Sequence, residues 1–516
     1  MLFNSYPFLF LYLPLTLIAF LILRRWHRSL AIGGLLLASL IFYGVWNPRD
    51  VLLLLGSILF NFWIGQRLQK PPSEMTPTGR RLWLQLGIGI DLALLGYYKY
   101  AGFVGENLDT LLGLHLDFSG IVLPLGISFF TFTQIAFLVD CYRGEVREGR
   151  LLDYGLFVTY FPHLIAGPVL HHKDMMPQFR SEALSHFRWA DFSVGATLFT
   201  LGLFKKVIFA DGIAPFARAV FDSPAITPGV IEAWGGALAF TFQLYFDFSG
   251  YSDMAIGLSL LFGVRLPINF DSPYQARSLI DFWRRWHMTL SRFLRDYLYF
   301  SLGGNRKGPV RRYINLWLTM LLGGLWHGAG WTYLAWGALH GFYLIINHGF
   351  RHWRQGRWDP DRFKTPAHLL TFLCIVLGWV VFRSPDLETA GHLYRGMLGF
   401  NGFVIPESLT PECARSLLTT LGLPLGEPLV FARLPGQTAG LMLWILGLGF
   451  IAFFLPNSQT LLRRYRPTLS EIKALTPHRL SLIFEPRPLT LALTVAAFLY
   501  GLTAMGTVSE FLYFQF

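Results

Sequence analysis

LLGGLWHGAGWTYLAWGALH (residues 321–340) contains no Lys, Arg, Asp or Glu, yet it holds two ionisable rings, His327 and His340. A helix of about 20 apolar residues is long enough to cross the hydrocarbon of a bilayer. Gly328 and Gly330 interrupt the run, which is read as two adjoining membrane segments, 312–330 and 331–348. Comparable runs recur at 7–23, 29–46, 50–66, 82–99, 119–139, 151–168, 192–213, 232–249, 250–264, 366–382, 438–455 and 488–504. Some are expected to be re-entrant or broken, leaving about eleven to thirteen helices that cross or enter the membrane. The expected fold class is an all-α polytopic integral membrane protein.

Composition agrees. Of 516 residues, 53% are hydrophobic and only 14% charged, with 48 Phe, 21 Tyr and 16 Trp. A soluble chain carries about 25% charged residues. The run 7–23 has no basic segment before it and no small-residue cleavage site after it, so it is expected to be a retained helix. Cys141, Cys374 and Cys413 are scattered without metal or redox spacing, and no HExxH or GxSxG motif occurs. No metal site is expected. The net charge of +12 is assigned to topology rather than to nucleic acid.

Basic residues set the expected orientation. Arg24, Arg25 and Arg28 follow the first run, Arg67, Lys70, Arg80 and Arg81 the third, and Arg143, Arg147 and Arg150 the fifth. These loops are expected in the cytoplasm, with 350–364 and 463–487, and the N-terminus outside. Segment 383–436, poor in basic residues, and the terminal SEFLYFQF (509–516) are expected outside, as a surface for a partner protein. HHKDMMPQFR (171–180) breaks the alternation, so a re-entrant or broken element is expected nearby.

DFWRRWHMTLSRFLRDYLYF (281–300) reads as an amphipathic helix. Asp281, Arg284, Arg285, Arg292, Arg295 and Asp296 share an arc of about 120°, suited to lipid head groups, while His287 falls on the apolar side. LGGNRKGPVRR (302–312) follows; its glycines beside Asn305, Arg306 and Lys307 would let backbone N–H groups and cations approach a phosphate. Arg284, Arg285, Asn305, Arg306 and Lys307 are therefore the candidate contacts for an anionic donor.

An ionisable group inside a membrane is a functional candidate by default. Around His327, glycines at 323, 324, 328 and 330 are expected to leave room for a substrate, and Trp326 and Trp331 to supply apolar walls. A neutral imidazole suits a general base acting on a hydroxyl. His340 lies thirteen residues on, about 20 Å along a continuous helix, unless the chain turns back at Gly328–Gly330. Asp91, Lys205, Lys206, Asp247 and Asp253 also lie within apolar runs. Asp247 and Asp253 in YFDFSGYSDMAIG (245–257) are about 120° apart on a helix, with Gly250 a possible break between them; a structural polar network around an internal cavity is expected there.

YFDFSGYSDMAIG, DFWRRWHMTLSRFLRDYLYFSLGGNRKG and LLGGLWHGAGWTYLAWGALHG together resemble the membrane-bound O-acyltransferase (MBOAT) family, in particular its branch serving bacterial alginate O-acetylation. PLGISFFTFTQIAFLVDCYRG (124–144), FPHLIAGPVL (161–170) and VVFRS (380–384) fit the same pattern. The resemblance implies a helical ring around a thin centre, with residues 1–118 as N-terminal helices, 119–382 as core, 383–436 as external loop and 437–516 as C-terminal helices and tail of one membrane domain. It implies His327 as catalytic residue and His287 as a second motif residue. It further implies transfer of acetyl from a cytoplasmic donor, acetyl-CoA, across the bacterial inner membrane. A separate periplasmic transferase, within an exopolysaccharide synthesis complex, would then esterify a polymer such as alginate. The competing reading is a transporter with an intramembrane His/Asp path.

Overall fold

The computed structural model describes the chain except residues 72, 147–148, 224–226, 355–362, 470–483, 486, 507–510 and 513–516. Arg147, the middle of 350–364, most of 463–487 and most of the terminal tail therefore lie outside the described residues. The rest is helical, and among the described residues the only β feature is an isolated bridge between Ile405 and Leu425.

Five helices are individually long and apolar enough to cross a membrane: Phe8–Trp26, Pro48–Leu68, Trp189–Phe221, Lys364–Arg383 and Gln437–Phe454. Arg28–Gly44 and Pro488–Ala504 are apolar but shorter. The expected eleven to thirteen is thus not met by length and apolarity alone. Helices such as Val230–Leu261 and Trp331–Trp353 have the length, but Gly, Tyr, Trp, His and acidic residues dilute them. Such helices are stabilised by protein neighbours that satisfy their polar groups.

Val230–Leu261 illustrates this. It runs 32 residues without a break, and from Ala239 to Leu261 every residue is buried. A helix apolar all round belongs inside a protein. Gly250 does not interrupt it. Gly250 and Gly257 instead pack against Gly202 and Gly195 of the Trp189–Phe204 segment, backbone to backbone. A Cβ on Gly257 would lie 2.6 Å from both the Gly195 carbonyl oxygen and the Phe199 nitrogen. Close approach of this kind, reached only with small residues, drives helix association where lipid removes the hydrophobic term. Gly257→Ala is expected to cost about 1–3 kcal/mol through overpacking. The detergent-solubilised protein should melt several degrees lower, whereas Gly447→Ala, which has no neighbour within 4 Å, should not.

That approach also brings the intramembrane charges together. Lys205 Nζ lies 2.7 Å from Asp253, and Lys206 Nζ lies 2.7 Å from Asp247 and 2.8 Å from Asp211. Asp253 also accepts from Gln459 and from the Ser458 hydroxyl. The two carboxylates of YFDFSGYSDMAIG thus pair with consecutive lysines, as a structural network. Phe511 and Leu512 join it: the Leu512 amide donates to Asp247 at 3.1 Å, and the Phe511 ring packs on Tyr251. Phe511 and Leu512 are buried, which corrects the reading of an exposed aromatic tail for these residues.

The charge anomaly at 171–180 has a geometric cause. Helix Leu151–Thr159 has nine residues, about 13 Å, less than half the hydrocarbon thickness. The chain turns over residues 160–167 and returns to the helix His172–Arg180. Arg180 meets Asp153 at 3.2 Å, and the Arg28 guanidinium reaches the Arg180 carbonyl. Arg292 pairs with Asp174 at 2.7 Å, and Arg143 lies over the Tyr297 ring. The re-entrant element therefore enters and leaves on one side, where Arg28, Arg143, Arg180 and Arg292 gather. We call this the basic end.

Candidate active site

Helix Gly308–His327 starts beside the turn holding Asn305, Arg306 and Lys307 and ends on His327. Its 20 residues span about 30 Å, so His327 lies toward the opposite end. The chain reverses at Gly328–Gly330, and Trp331–Trp353 packs back along the first helix. Glycines make the reversal close. Gly324 and Gly337 meet at the crossing, and a Cβ on Gly337 would lie 2.5 Å from the Met320 carbonyl oxygen. Gly324 and Gly328 are covered by the Tyr333 backbone and ring. The expected substrate space at Gly324 and Gly328 is therefore filled by helix packing. The Gly328 N–H donates to the Gly324 carbonyl at 3.4 Å.

The reversal places His327 and His340 on either side of one indole. Their ring centroids lie 5.2 and 4.9 Å from that of Trp336. His340 is fully buried among Phe282, Trp283, Trp336, Tyr343 and Trp379. His327, 4% exposed, contacts Trp326, Trp336 and Phe382 edgewise. Trp331 is not one of its walls; that ring is 57% exposed and donates to Asn107.

The last four carbonyls of an α-helix need partners from outside it. Here all four have one. Gly328 N–H serves Gly324, and the Tyr100 hydroxyl donates to Leu325 at 2.8 Å. Lys99 Nζ donates to Trp326 at 2.6 Å and His327 at 3.1 Å. A cation at a helix C-terminus also complements the helix dipole. Lys99 and Tyr100 sit on a π-helical turn, Gly96–Tyr100, a distortion frequent at functional sites. Beside them lies a cavity of about 130 Å³ lined by Trp46, Lys99, Gly126, Ser128, Trp326 and His327, among others. Lys99 has no carboxylate within ion-pair distance among the described residues; its third polar neighbour is Ser128 Oγ at 3.3 Å.

The segment 281–300 is not one amphipathic helix. Leu279–Trp283 ends in a turn, His287 adopts a left-handed conformation (φ 43°, ψ 53°), and Met288–Phe293 begins afresh. The break withdraws Arg285 from the expected arc. Arg285 is buried, paired with Asp281 at 2.9 Å and bonded to the Asp271 carbonyl. It is thus committed inside the protein, and its expected role as a donor contact does not match this placement. Arg284, Asn305, Arg306 and Lys307 are exposed, and the Tyr299 hydroxyl donates to Asn305. His287 is fully buried, 6.3 Å from Trp326 between ring centroids, and bonded through Nδ1 to Asn269 Oδ1 at 3.1 Å. Two histidines on separate elements thus flank Trp326, one of them opening on a cavity that also holds a cation. This arrangement offers an imidazole and a hydrogen-bond donor, groups that acyl transfer to a hydroxyl can use as base and as oxyanion stabiliser.

Two of these residues were not singled out from sequence. Lys99 ends the apolar run 82–99 in GYYKY (96–100), where a lysine among aromatic residues was the available signal. Asn269, in PINFDSP (267–273), carried no local signal, because its role arises from folding against residues 18 to 20 positions away.

Comparison with known proteins gives the family. Residues 141–379 match the model of MBOAT, the membrane-bound O-acyltransferase family. A probable alginate O-acetylase AlgI of Pseudomonas putida is 41% identical over 527 residues, covering all of both chains. A peptidoglycan O-acetyltransferase of Helicobacter pylori is 43% identical over 430 residues, covering 78% of this chain and 80% of that one. A teichoic acid D-alanyltransferase of Bacillus subtilis is 29% identical over 275 residues, half of this chain. An all-helical fold with membrane-length apolar helices, and likeness to O-acetylases over all of one chain and about four-fifths of another, lead to one conclusion: the chain is a multi-pass O-acyltransferase of the membrane-bound O-acyltransferase family.

Proposed function

We propose that this acyltransferase takes acetyl from acetyl-CoA at the basic end and delivers it on the opposite side of the bacterial inner membrane, for O-acetylation of an exopolysaccharide such as alginate. The basic end is then cytoplasmic, and both termini are periplasmic. The observation that carries the reading is the position of His327, about 30 Å along one helix from the exposed Arg306–Lys307 turn and on the wall of a cavity. The full-length likeness to an alginate O-acetylase supports the acetyl group and the polymer class. A periplasmic polysaccharide acetyltransferase, in a synthesis and secretion complex, is the proposed recipient.

As a base, His327 removes the proton of an acceptor hydroxyl while its oxygen bonds to the thioester carbonyl carbon; the C–S bond breaks and CoA leaves as the thiol after protonation. As a nucleophile, it forms an acetyl-imidazole first and passes the acetyl on. Vesicle-reconstituted protein given acetyl-CoA labelled on the acetyl group separates the two routes. CoA release with acid-labile label on the protein indicates relay, and release without it indicates base catalysis. Absence of CoA release with purified acceptor and partner present would overturn the reading.

Arg306 and Lys307 are the proposed contacts of the CoA phosphates, with Arg284 and Asn305 at the same end. Arg306→Ala/Lys307→Ala should raise KM for acetyl-CoA about tenfold, since exposed charge pairs contribute up to roughly 1 kcal/mol each. The value of kcat should change less than twofold. An unchanged KM would place the donor elsewhere.

A further inference from the structure

Asn269 is buried completely and makes five polar contacts, four of them through its side-chain amide. Its backbone carbonyl accepts from the Met288 N–H at 3.0 Å. Its side-chain oxygen faces the Thr289 backbone N–H at 3.4 Å, a group that can only donate, so Oδ1 must point that way. The same oxygen accepts from the Thr289 hydroxyl at 2.9 Å, while Nδ2 donates to Ser252 Oγ at 3.2 Å. His287 Nδ1 lies 3.1 Å from this oxygen. An acceptor that already faces two donors requires a proton on Nδ1. The lone pair of the neutral ring is therefore on Nε2.

The same contacts hold a strained backbone. A left-handed conformation in a non-glycine residue costs about 1–3 kcal/mol and persists only where the surroundings over-determine it. Around His287 they do: Asn269 binds residues 287, 288 and 289, and the Asp271 N–H donates to the Arg285 carbonyl at 3.0 Å. The Val169 N–H donates to Thr289 Oγ1 at 2.9 Å, and the Phe248 ring meets the imidazole edgewise at 4.8 Å. A histidine needed only for packing would not require strain, a fixed tautomer and a buried polar network together.

We infer that Asn269 is a positioning residue for acyl transfer: it sets the tautomer and direction of His287 so that Nε2 is the unprotonated ring nitrogen beside Trp326. The inference rests on reading His287 as part of the reaction site. In that site an Nε2 lone pair accepts a hydrogen bond or a proton, which the other tautomer at the same ring position does not do.

Asn269→Ala removes the acceptor; Asn269→Asp keeps it and replaces the Nδ2 donor facing Ser252 by an oxygen that can only accept. The full-length protein in lipid, labelled with ¹⁵N-histidine, reports the tautomer of His287 by solid-state NMR, assigned through loss of the signal in His287→Ala. Wild type and Asn269→Asp should show a protonated Nδ1, and Asn269→Ala a mixture. CoA release should fall at least tenfold in kcat for Asn269→Ala, with KM little changed, and recover partly in Asn269→Asp. If Asn269→Ala fails to fold, Asn269→Asp and Ser252→Ala carry the comparison: both must keep the tautomer and at least a tenth of the turnover. An unaltered His287 signal in folded Asn269→Ala overturns the inference. So does an altered signal with normal turnover; full activity of His287→Ala would then locate the error in the reading of the site, and an inactive His287→Ala would locate it in the role of Asn269.

Discussion

His327→Ala is expected to remove acetyl transfer, lowering kcat by about three orders of magnitude or more while the protein remains folded. A positioned acid–base group contributes roughly 10²–10⁴-fold, and a nucleophile lost from a two-step relay costs at least as much. The fold should survive for a specific reason. His327 is the last residue of its helix, and the contacts that hold this terminus run through its backbone: Lys99 to its carbonyl, and Gly328 to Gly324. Alanine keeps them all. The side chain borders a cavity, so its removal enlarges an existing space rather than opening one in packed core. CoA release by vesicle-reconstituted mutant, together with a melting midpoint within a few degrees of wild type, checks the prediction. Turnover near the wild-type rate would place the chemistry on another residue, with His287 the first alternative.

The fold class was readable because membrane burial writes itself into composition over long windows. His327 stands out as a candidate because an imidazole in LLGGLWHG has no cheap structural explanation. The surrounding site was harder to read for one recurring reason: helical periodicity assumes continuous helices. The arc drawn over 281–300 placed Arg285 with the other arginines, but the left-handed turn at His287 rotates the chain and sends Arg285 inward to Asp281. Gly250 was read as a possible break because glycine is a poor helix former. In a membrane fold the same residue lets two backbones touch, and the helix passes straight through it. Gly324 and Gly328 misled in the same way, since the space they leave is taken by Tyr333. Sequence reveals where a small residue lies but not which neighbour occupies the gap.

Lys99→Met should be the most damaging change outside the histidines, with turnover down about a hundredfold. The substitution keeps the length and apolar stem of the side chain and removes only the ammonium. Two consequences follow from the geometry. The Trp326 and His327 carbonyls lose their donor, and an unsatisfied buried carbonyl costs about 1–3 kcal/mol. The last helical turn would then relax, taking the His327 ring from its place between Trp336 and Phe382. The cavity also loses a group that is positive when protonated. Such a charge stabilises the negative oxygen that develops during acyl transfer, and one such donor is worth roughly 10²–10³ in rate. Lys99→Arg separates these effects. It restores charge, but a planar fork does not reproduce the three-way geometry of an ammonium shared between two carbonyls and Ser128. If charge dominates, Lys99→Arg should regain much of the lost kcat; if capping dominates, it should remain as slow as Lys99→Met, and both should melt lower than wild type. A Lys99→Met protein with full activity and an unchanged melting midpoint would mean that neither the helix end nor the cavity depends on the ammonium, and that the placement of His327 is secured by its aromatic neighbours alone.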